Sequence, residues 1–430
     1  MTIGIVGGGI LGLTLGYHLS QAGNTVTIVE KEDKLGGLAG YIDMDGITVD
    51  KYYHGILTSD NALLQLIDEL GISSKLKFKK TKMAFFHKGE TFPMTTVRDF
   101  MHFSPLTFID RCRLGYTVVY SLLIRNWHRL EQVSVKKWLT KLSGYNAYEG
   151  IWEPLLKVKF DKDFGKIPAT YIWSRVRRMA STYDRKLPKA DMAYLVGGTK
   201  TLIDGLVRAI RRNGGEIYLK TPVEKVETVH GEIILRTGKG GLRFDKVIST
   251  VPIPRFLEFL PPLDGYSQAL KKMPYLHLVC LVLKLKEPLS DYYFYHIADD
   301  DVPFTTVVET TNLIDPQYLK GYHIVYLPKY VEERNPFLNM SDDEIYGCFV
   351  TYLERMFPAF QEDLIEERVV LKEKYVEPIH VIGSKNLIPR LVTPVENLYL
   401  ANTSQIYPEL VNCESVVRLA GRVSEAILNL

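Results

Sequence analysis

The sequence predicts an α/β protein in which a nucleotide-binding domain of parallel strands is interrupted by a helical cap and by a second, sheet-containing α+β domain. Three observations lead there. The first thirty residues read strand, glycine-rich turn, helix, strand. Segments of the same character return in the middle and at the end of the chain. Between them lie a helical stretch and then strand-like runs with a different spacing of apolar residues.

The opening unit is the most specific. Thr2 to Val6 is an apolar run of strand length, followed by Gly7, Gly8, Gly9 and Gly12 and by helical periodicity from Leu11 to Gln21. Gly23 and Asn24 end that helix, and Thr25 to Val29 forms a second strand that runs into Glu30. Gly7, Gly9 and Gly12 therefore form G-x-G-x-x-G inside a βαβ frame, the fingerprint of a Rossmann-type dinucleotide site. Gly7 permits the tight turn, Gly9 lets backbone approach a pyrophosphate, and Gly12 lets helix and strand pack closely. Ile10 and Leu11 open the helix, whose free N–H groups and positive dipole end face the phosphates. Glu30 stands 18 residues beyond Gly12, where a carboxylate accepts the ribose hydroxyls and disfavours a 2′-phosphate. NADP is thereby argued against, while NAD and FAD both fit the motif.

The following segment narrows the choice. After Glu30 come Lys31, Lys34, Leu35, Gly36, Gly37, Leu38, Ala39 and Gly40. With Tyr194 to Thr199, Gly214-Gly215, Asp245 to Pro252, and the tail from Asn397 to Asn402, this resembles the FAD-dependent amine oxidase superfamily. That superfamily includes protoporphyrinogen oxidases, phytoene desaturases and, more distantly, UDP-galactopyranose mutases. The resemblance implies FAD as cofactor and a glutathione-reductase-like FAD domain. It implies that Lys31, Gly36, Gly37 and Leu38 lie along the cofactor and that Val223 meets the adenine through its backbone. It also implies that Asn402 contacts the ribityl chain, and that a helix beginning near Ser415 and Val416 faces the flavin. Two positions depart from the family pattern: Leu38 stands where Arg is usual, and Ala401-Asn402 stands where Gly-Asp or Gly-Glu is usual.

The domain reading follows from these blocks. Residues 1–75, 191–255 and 385–430 form a discontinuous FAD domain, 76–190 a helical cap, and 256–384 the sheet of a substrate domain. Within the cap, Phe78 to Phe103 reads as short strands and turns, Leu106 to Leu142 as helical and Tyr145 to Ala180 as helices interrupted by Pro154 and Pro168. In the sheet, Leu276 to Lys286 and Phe304 to Val308 read as strands, with Val325 to Leu327 a neighbour. Asp342 to Met356 reads as a helix stopped by Pro358. No internal repeat or low-complexity tract is present.

Composition removes several function classes. Lys plus Arg is 53 and Asp plus Glu is 50, a near-balance that argues against nucleic acid as a partner. Four cysteines without a C-x-x-C pair argue against a disulfide framework or zinc ribbon. The ten His show no metal-ligand spacing, so no metal is expected. No apolar run reaches spanning length and no signal peptide is evident, which makes the cytoplasm the expected compartment.

Four features bear on chemistry. His54, in Asp50-Lys51-Tyr52-Tyr53-His54-Gly55, resembles the aromatic-His stretch lining the flavin of UDP-galactopyranose mutases; it either contacts flavin or substrate or is packed against a backbone carbonyl. Tyr407 precedes the flavin-facing helix and is a second catalytic candidate. Between Ile151 and Ala190 ten basic residues meet four acidic ones. Arg175 and Arg178 share a helix face there, fit to hold a phosphate or carboxylate of a small-molecule substrate, while a solvated basic face is the competing reading. Last, the run Leu114 to Ile124, flanked by Arg111, Arg113, Arg125 and Trp127, could lie on a membrane surface, although a buried cap helix is the favoured reading. The leading function is an FAD-dependent oxidoreductase that passes hydride from substrate to flavin N5, and the alternative is a redox-neutral flavin-dependent sugar-nucleotide mutase.

Overall fold

A computed structural model of the protein describes residues 1–181 and 192–430, and of residues 161–163 and 181 the backbone alone. Arg185, Lys186 and Lys189, part of the basic count above, and the Lys162 side chain lie outside the described part, as does the cap stretch 182–190.

A five-stranded parallel sheet carries the nucleotide-binding unit, in the order Glu216–Tyr218, Thr25–Val29, Thr2–Val6, Lys246–Ser249, Leu398–Leu400. Its strands come from three separate stretches of chain. Both faces are covered, which is why the strands read as continuous apolar runs rather than alternating ones. Ile3, Ile5, Val26 and Ile28 are fully buried. The helices Ile10–Gln21, Thr199–Arg212 and Cys413–Leu428 pack on one another above one face. A three-stranded antiparallel sheet, Val223–Val229, Glu232–Thr237 and Gly240–Phe244, lies beside the other.

The second sheet has seven strands, in the order Ile365–Pro378, Tyr275–Leu285, His323–Val331, Thr306–Glu309, Phe294–Ile297, Met83–His87, Glu90–Pro93. The last two strands fall where Phe78 to Phe103 reads as short strands and turns, but they join this sheet rather than the cap to which 76–190 is assigned above. Met83–His87 joins the sheet edge by parallel pairing with Phe294–Ile297, as Phe294 to Ile297 meet Met83 to Phe86 in register. The partners stand more than two hundred residues apart, so no local signal announces the pairing. Asp342–Met356 forms one helix, opened by a capping box between Ser341 and Glu344.

The cap departs from the sequence reading in three places. The stretch 106–142 is not one helix. It breaks into Phe108–Leu123, a 3-10 turn Trp127–Gln132 and Val135–Ser143, and the side chains of Thr107, Asn126 and Ser134 cap the three starts. Pro154 does not interrupt a helix either. It occupies the first turn of Glu153–Phe160, directly after a π-helical turn at Tyr148–Trp152, where a missing N–H is tolerated. Most consequential, Phe108–Leu123 is not a buried apolar helix. Its buried residues are Asp110, Leu114, Thr117 and Ser121, while Ile109 and Leu123 are 69% and 72% exposed.

Candidate active site

Two glycine turns form the floor of the nucleotide end. Gly7 takes φ +109°, which only glycine adopts without strain. Gly8 N–H donates to the Glu30 carboxylate at 2.6 Å, and Gly36 N–H donates to the Gly8 carbonyl at 2.8 Å. Gly9 and Gly36 thereby run side by side as a parallel bridge. A Cβ on Gly12 would stand 2.0 Å from the Gly7 carbonyl oxygen, so that glycine serves packing. A Cβ on Gly9 would meet nothing closer than the Gly36 carbonyl oxygen at 4.0 Å. It would project into open space, which is where a ligand's phosphates fit. The helix Ile10–Gln21 starts there with no side-chain cap and no acid in its first turn, leaving its N–H groups free for an anion.

From this cradle a cavity of about 1150 Å³ runs between the two sheets and under the cap. Gly7, Gly9, Ile10, Leu11, Glu30 and Lys31 line it, followed by Gly36, Gly37 and Leu38. Val223 lines it beside Thr221, whose N–H is bound by the Glu30 carbonyl at 2.8 Å. From the tail, Cys413 and Val416 reach it at the N-terminus of Cys413–Leu428. The Glu30 carboxylate has a second duty besides facing the cavity: it accepts from Gly8 and, at 2.9 Å, from Glu32 N–H. It thus holds the glycine loop that lines the cavity.

Three tail residues stand elsewhere than expected. The Asn402 side chain is fully engaged by protein, donating to the Val251 carbonyl at 3.0 Å and accepting from Ser404 N–H and hydroxyl. Thr403 is the residue of that turn that lines the cavity. Ser415 is held in the helix cap: its N–H donates to Asn412 and its hydroxyl to the Leu410 carbonyl at 2.8 Å. Tyr407 does not line the cavity. Its hydroxyl bonds Thr170 at 3.0 Å and its ring lies against His380 and Trp127, and burial pushes its phenol up to about 12. It ties the tail to the cap.

The far end of the cavity is built from side chains. His54 lines it, with Nδ1 2.7 Å from the Tyr52 carbonyl. The backbone-carbonyl contact is present, and the ring also borders the cavity. When the ring is neutral the proton sits on Nδ1 and Nε2 is left as acceptor. Behind it, buried Asp50 accepts from Thr199 N–H at 2.7 Å and hydroxyl at 2.9 Å; burial raises its pKa, against the pull of His54.

Arg175 and Arg178 share the helix Thr170–Ser181 and both line the cavity, yet they do not form a pair with one task. Arg178 grips Asp60 with two bonds of 2.8 and 3.1 Å, and Asp60 is only 2% exposed. Arg175 has no carboxylate partner among the described residues. Deep in the cavity, burial and the neighbouring Arg175 push His296 down to about 3, so this imidazole is neutral at neutral pH. Burial holds the Tyr53 phenol far above its ordinary value, so it is protonated. Two ion pairs complete this end: Lys159–Glu377 at 2.6 Å, with the ammonium 3.3 Å from the centre of the Tyr330 ring, and Lys51–Glu373 at 2.6 Å. Sequence reasoning missed these acids. Their one signal is that Glu373, Tyr375 and Glu377 alternate along Ile365–Pro378, and all three line the cavity.

Residues 12–428 match the family of flavin containing amine oxidoreductases. The chain belongs to that family. It is an FAD-dependent oxidoreductase by membership, and the open cradle at Gly9, the uncapped helix and the cavity-lining Glu30 fit FAD. The chain is 21% identical over its whole length to a 15-cis-phytoene desaturase of Synechococcus elongatus, spanning 96% of it. It is 19% identical, again over the whole chain, to a zeta-carotene desaturase of Arabidopsis thaliana, spanning 85% of that protein. Among solved structures it superposes on reduced UDP-galactopyranose mutase with a TM-score of 0.77 at 16% identity, covering all of this chain and 95% of that one. It also superposes on putrescine oxidase bound to putrescine, with a TM-score of 0.74 at 16% identity over the full length of both chains. At such identities the structural likeness carries the fold alone. Among the described residues no helix is long and apolar enough to cross a membrane.

Proposed function

We propose that the protein oxidises a small molecule by hydride transfer from a carbon to FAD, and that Arg175 binds an anionic group of that substrate. The observation that carries the anion reading is the contrast between the two arginines. Arg178 is matched by Asp60, whereas Arg175 faces the cavity without a carboxylate partner among the described residues. A partly buried cation on a cavity wall without a counter-charge attracts one, and a phosphate or carboxylate supplies it through charge-assisted bonds.

FAD, held on the Gly7–Gly12 and Gly36–Gly37 turns, supplies the acceptor for two electrons and a hydrogen. The remaining work belongs to the chain. Arg175 orients the substrate. Neutral His296 and protonated Tyr53 and Tyr330 offer hydrogen bonds without adding charge. The walls, among them Trp152, Leu155, Phe294 and Ile297, exclude water from the reacting carbon.

The test uses FAD-reconstituted protein, which is expected to be yellow and to bleach anaerobically with substrate. Arg175→Ala is expected to raise KM by about tenfold or more with kcat nearly kept, and Arg175→Lys to recover part of that loss. Unchanged kinetics in Arg175→Ala would remove the anion reading. A second reading, the redox-neutral sugar-nucleotide mutase, draws on the full-length superposition with the mutase and on Tyr53 and His54 in the cavity. Isomerisation of a UDP-sugar by dithionite-reduced protein, without consumption of an electron acceptor, would establish it instead.

A further inference from the structure

The helix Phe108–Leu123 is inside out. Toward the protein it turns Asp110, Thr117 and Ser121 with a single large apolar residue, Leu114. Thr117 bonds Ser143, and Ser121 bonds the Thr117 carbonyl, so this inner face is satisfied by hydrogen bonds. Toward the outside it presents Phe108, Ile109, Tyr116, Val119, Tyr120 and Leu123. Sixteen helical residues make a ridge about 24 Å long. An exposed apolar surface of that extent marks an interaction site.

We propose that this face docks on a bilayer of anionic phospholipid, with the helix lying in the interface plane. Charge decides the occupant. Between Val97 and Gly144 there are eight Lys or Arg and three Asp or Glu. Each acid is already engaged: Asp99 closes a capping box, Asp110 bonds Thr107, and Glu131 is buried beside His128. Arg113, Arg125 and Lys141 frame the ridge without a carboxylate partner among the described residues. Arg113 and Lys141 border a shallow groove floored by Phe108, Ile109 and Tyr116. Apolar side chains in the middle, cations at the margin and no free carboxylate match the boundary between acyl chains and anionic headgroups. The Tyr116 and Tyr120 rings stack at 5.8 Å and carry polar tips suited to the headgroup zone. A second copy fits less well, because a two-fold contact through this face would set the same cations against each other.

The surface also adjoins the cavity. The helix Thr170–Ser181 packs on Phe108–Leu123, and Arg177 donates to the Ile124 carbonyl at 3.3 Å. The same helix places Ile172, Arg175 and Met179 on the cavity wall, and Met179 is exposed as well. Docking would bring that edge of the cavity to the membrane.

The experiment is co-sedimentation of the FAD-loaded protein with vesicles of phosphatidylcholine containing about one-third phosphatidylglycerol. The parent is expected to pellet with these vesicles and to bind at least about tenfold less to phosphatidylcholine alone or in high salt. Ile109→Glu with Leu123→Glu is expected to lower binding at least about tenfold, with flavin absorbance and melting temperature as in the parent, since both side chains are exposed. Should that pair disturb folding, Arg113→Gln with Lys141→Gln is expected to abolish the preference for anionic vesicles. The proposal is overturned if the parent stays in the supernatant with both vesicle types, or if either variant pair binds like the parent. It is equally overturned if the parent is a dimer that the glutamate pair converts to monomer.

Discussion

At the nucleotide end of the cavity the ligand-facing groups are backbone, set by glycines within forty residues of one another. At the substrate end they are side chains drawn from stretches around residues 53, 159, 175, 296, 330 and 377. The difference is one of how geometry is stored. Backbone turns such as Gly7–Gly8–Gly9 are determined locally, by φ and by the hydrogen bonds of Glu30 and Gly36. The far end holds its shape only while the cap helix, the second sheet and the tail stay in register.

The largest expected effect tests the first half of that contrast. Gly9→Val places a branched side chain in the open space of the cradle without touching the fold, since a Cβ there has no neighbour within contact distance and φ is ordinary. Flavin retention is expected to fall to background, while the melting temperature of the apoprotein stays near that of the parent apoprotein. A variant that keeps full flavin occupancy would show that the dinucleotide lies elsewhere.

The next effect belongs to the substrate end, and its readout is stability. Arg178→Ala leaves Asp60 buried and without its bidentate partner, a loss of about 3–5 kcal/mol in unfolding free energy. Arg175→Ala removes no ion pair among the described residues and is expected to leave the unfolding midpoint almost unmoved. If the two variants were equally stable, the division of labour between the arginines would fail.

The legibility of the sequence follows the same line. The βαβ unit is legible to within one residue, its helix reading from Leu11 and starting at Ile10, because strand, turn and cap signals all lie within thirty positions. The Arg178–Asp60 and Lys159–Glu377 pairs were not, because they join residues 118 and 218 positions apart. The arginines were correctly placed on one helix facing the cavity. What was hidden was Asp60, whose role depends on a loop from the other domain. The helix Phe108–Leu123 shows a different failure. Its apolar run is visible in the sequence, but the side on which it lies is decided by Asp110, Thr117 and Ser121, which are satisfied inside by Thr107, by Ser143 and by the Thr117 carbonyl.

The substrate wall is also expected to respond to pH. Burial pushes Glu309 up to about 7, although it accepts from Leu289 and Ser290 N–H at 3.1 and 3.0 Å. These bonds support the turn before Phe294–Ile297, the strand that carries His296. Between the ordinary carboxylate value and about 7 the folded protein holds a proton that the unfolded chain has lost, so stability falls as pH rises through this window. His323, lowered by burial, works in the opposite direction. His323 Nδ1 stands 3.8 Å from the Glu309 carboxyl, so the difference between parent and Glu309→Gln reads the two together: the parent is expected to lose more stability than the variant between about pH 5 and pH 8, read from denaturant midpoints. Parallel profiles would show that Glu309 titrates normally.

The smallest effect returns to the cradle, where one side chain does matter. Glu30 is the exception to the backbone rule, since it lines the cavity while its carboxylate holds Gly8 and Glu32 N–H. Glu30→Ala removes both duties at once, and the loop then relies on the Gly36 to Gly8 bond and on the Gly7 to Val29 bond that remain. Loss of charge-assisted hydrogen bonds is expected to weaken FAD binding by about 1–3 kcal/mol, roughly fivefold to 150-fold in Kd. Glu30→Gln separates the duties. Its carbonyl oxygen can still accept one backbone N–H, but the charge that favours the ribose hydroxyls is gone. If Glu30→Gln binds FAD like the parent while Glu30→Ala does not, the carboxylate acts through the loop. If both variants are weakened alike, it acts on the ribose, and the nucleotide end depends on a side chain as directly as the substrate end does.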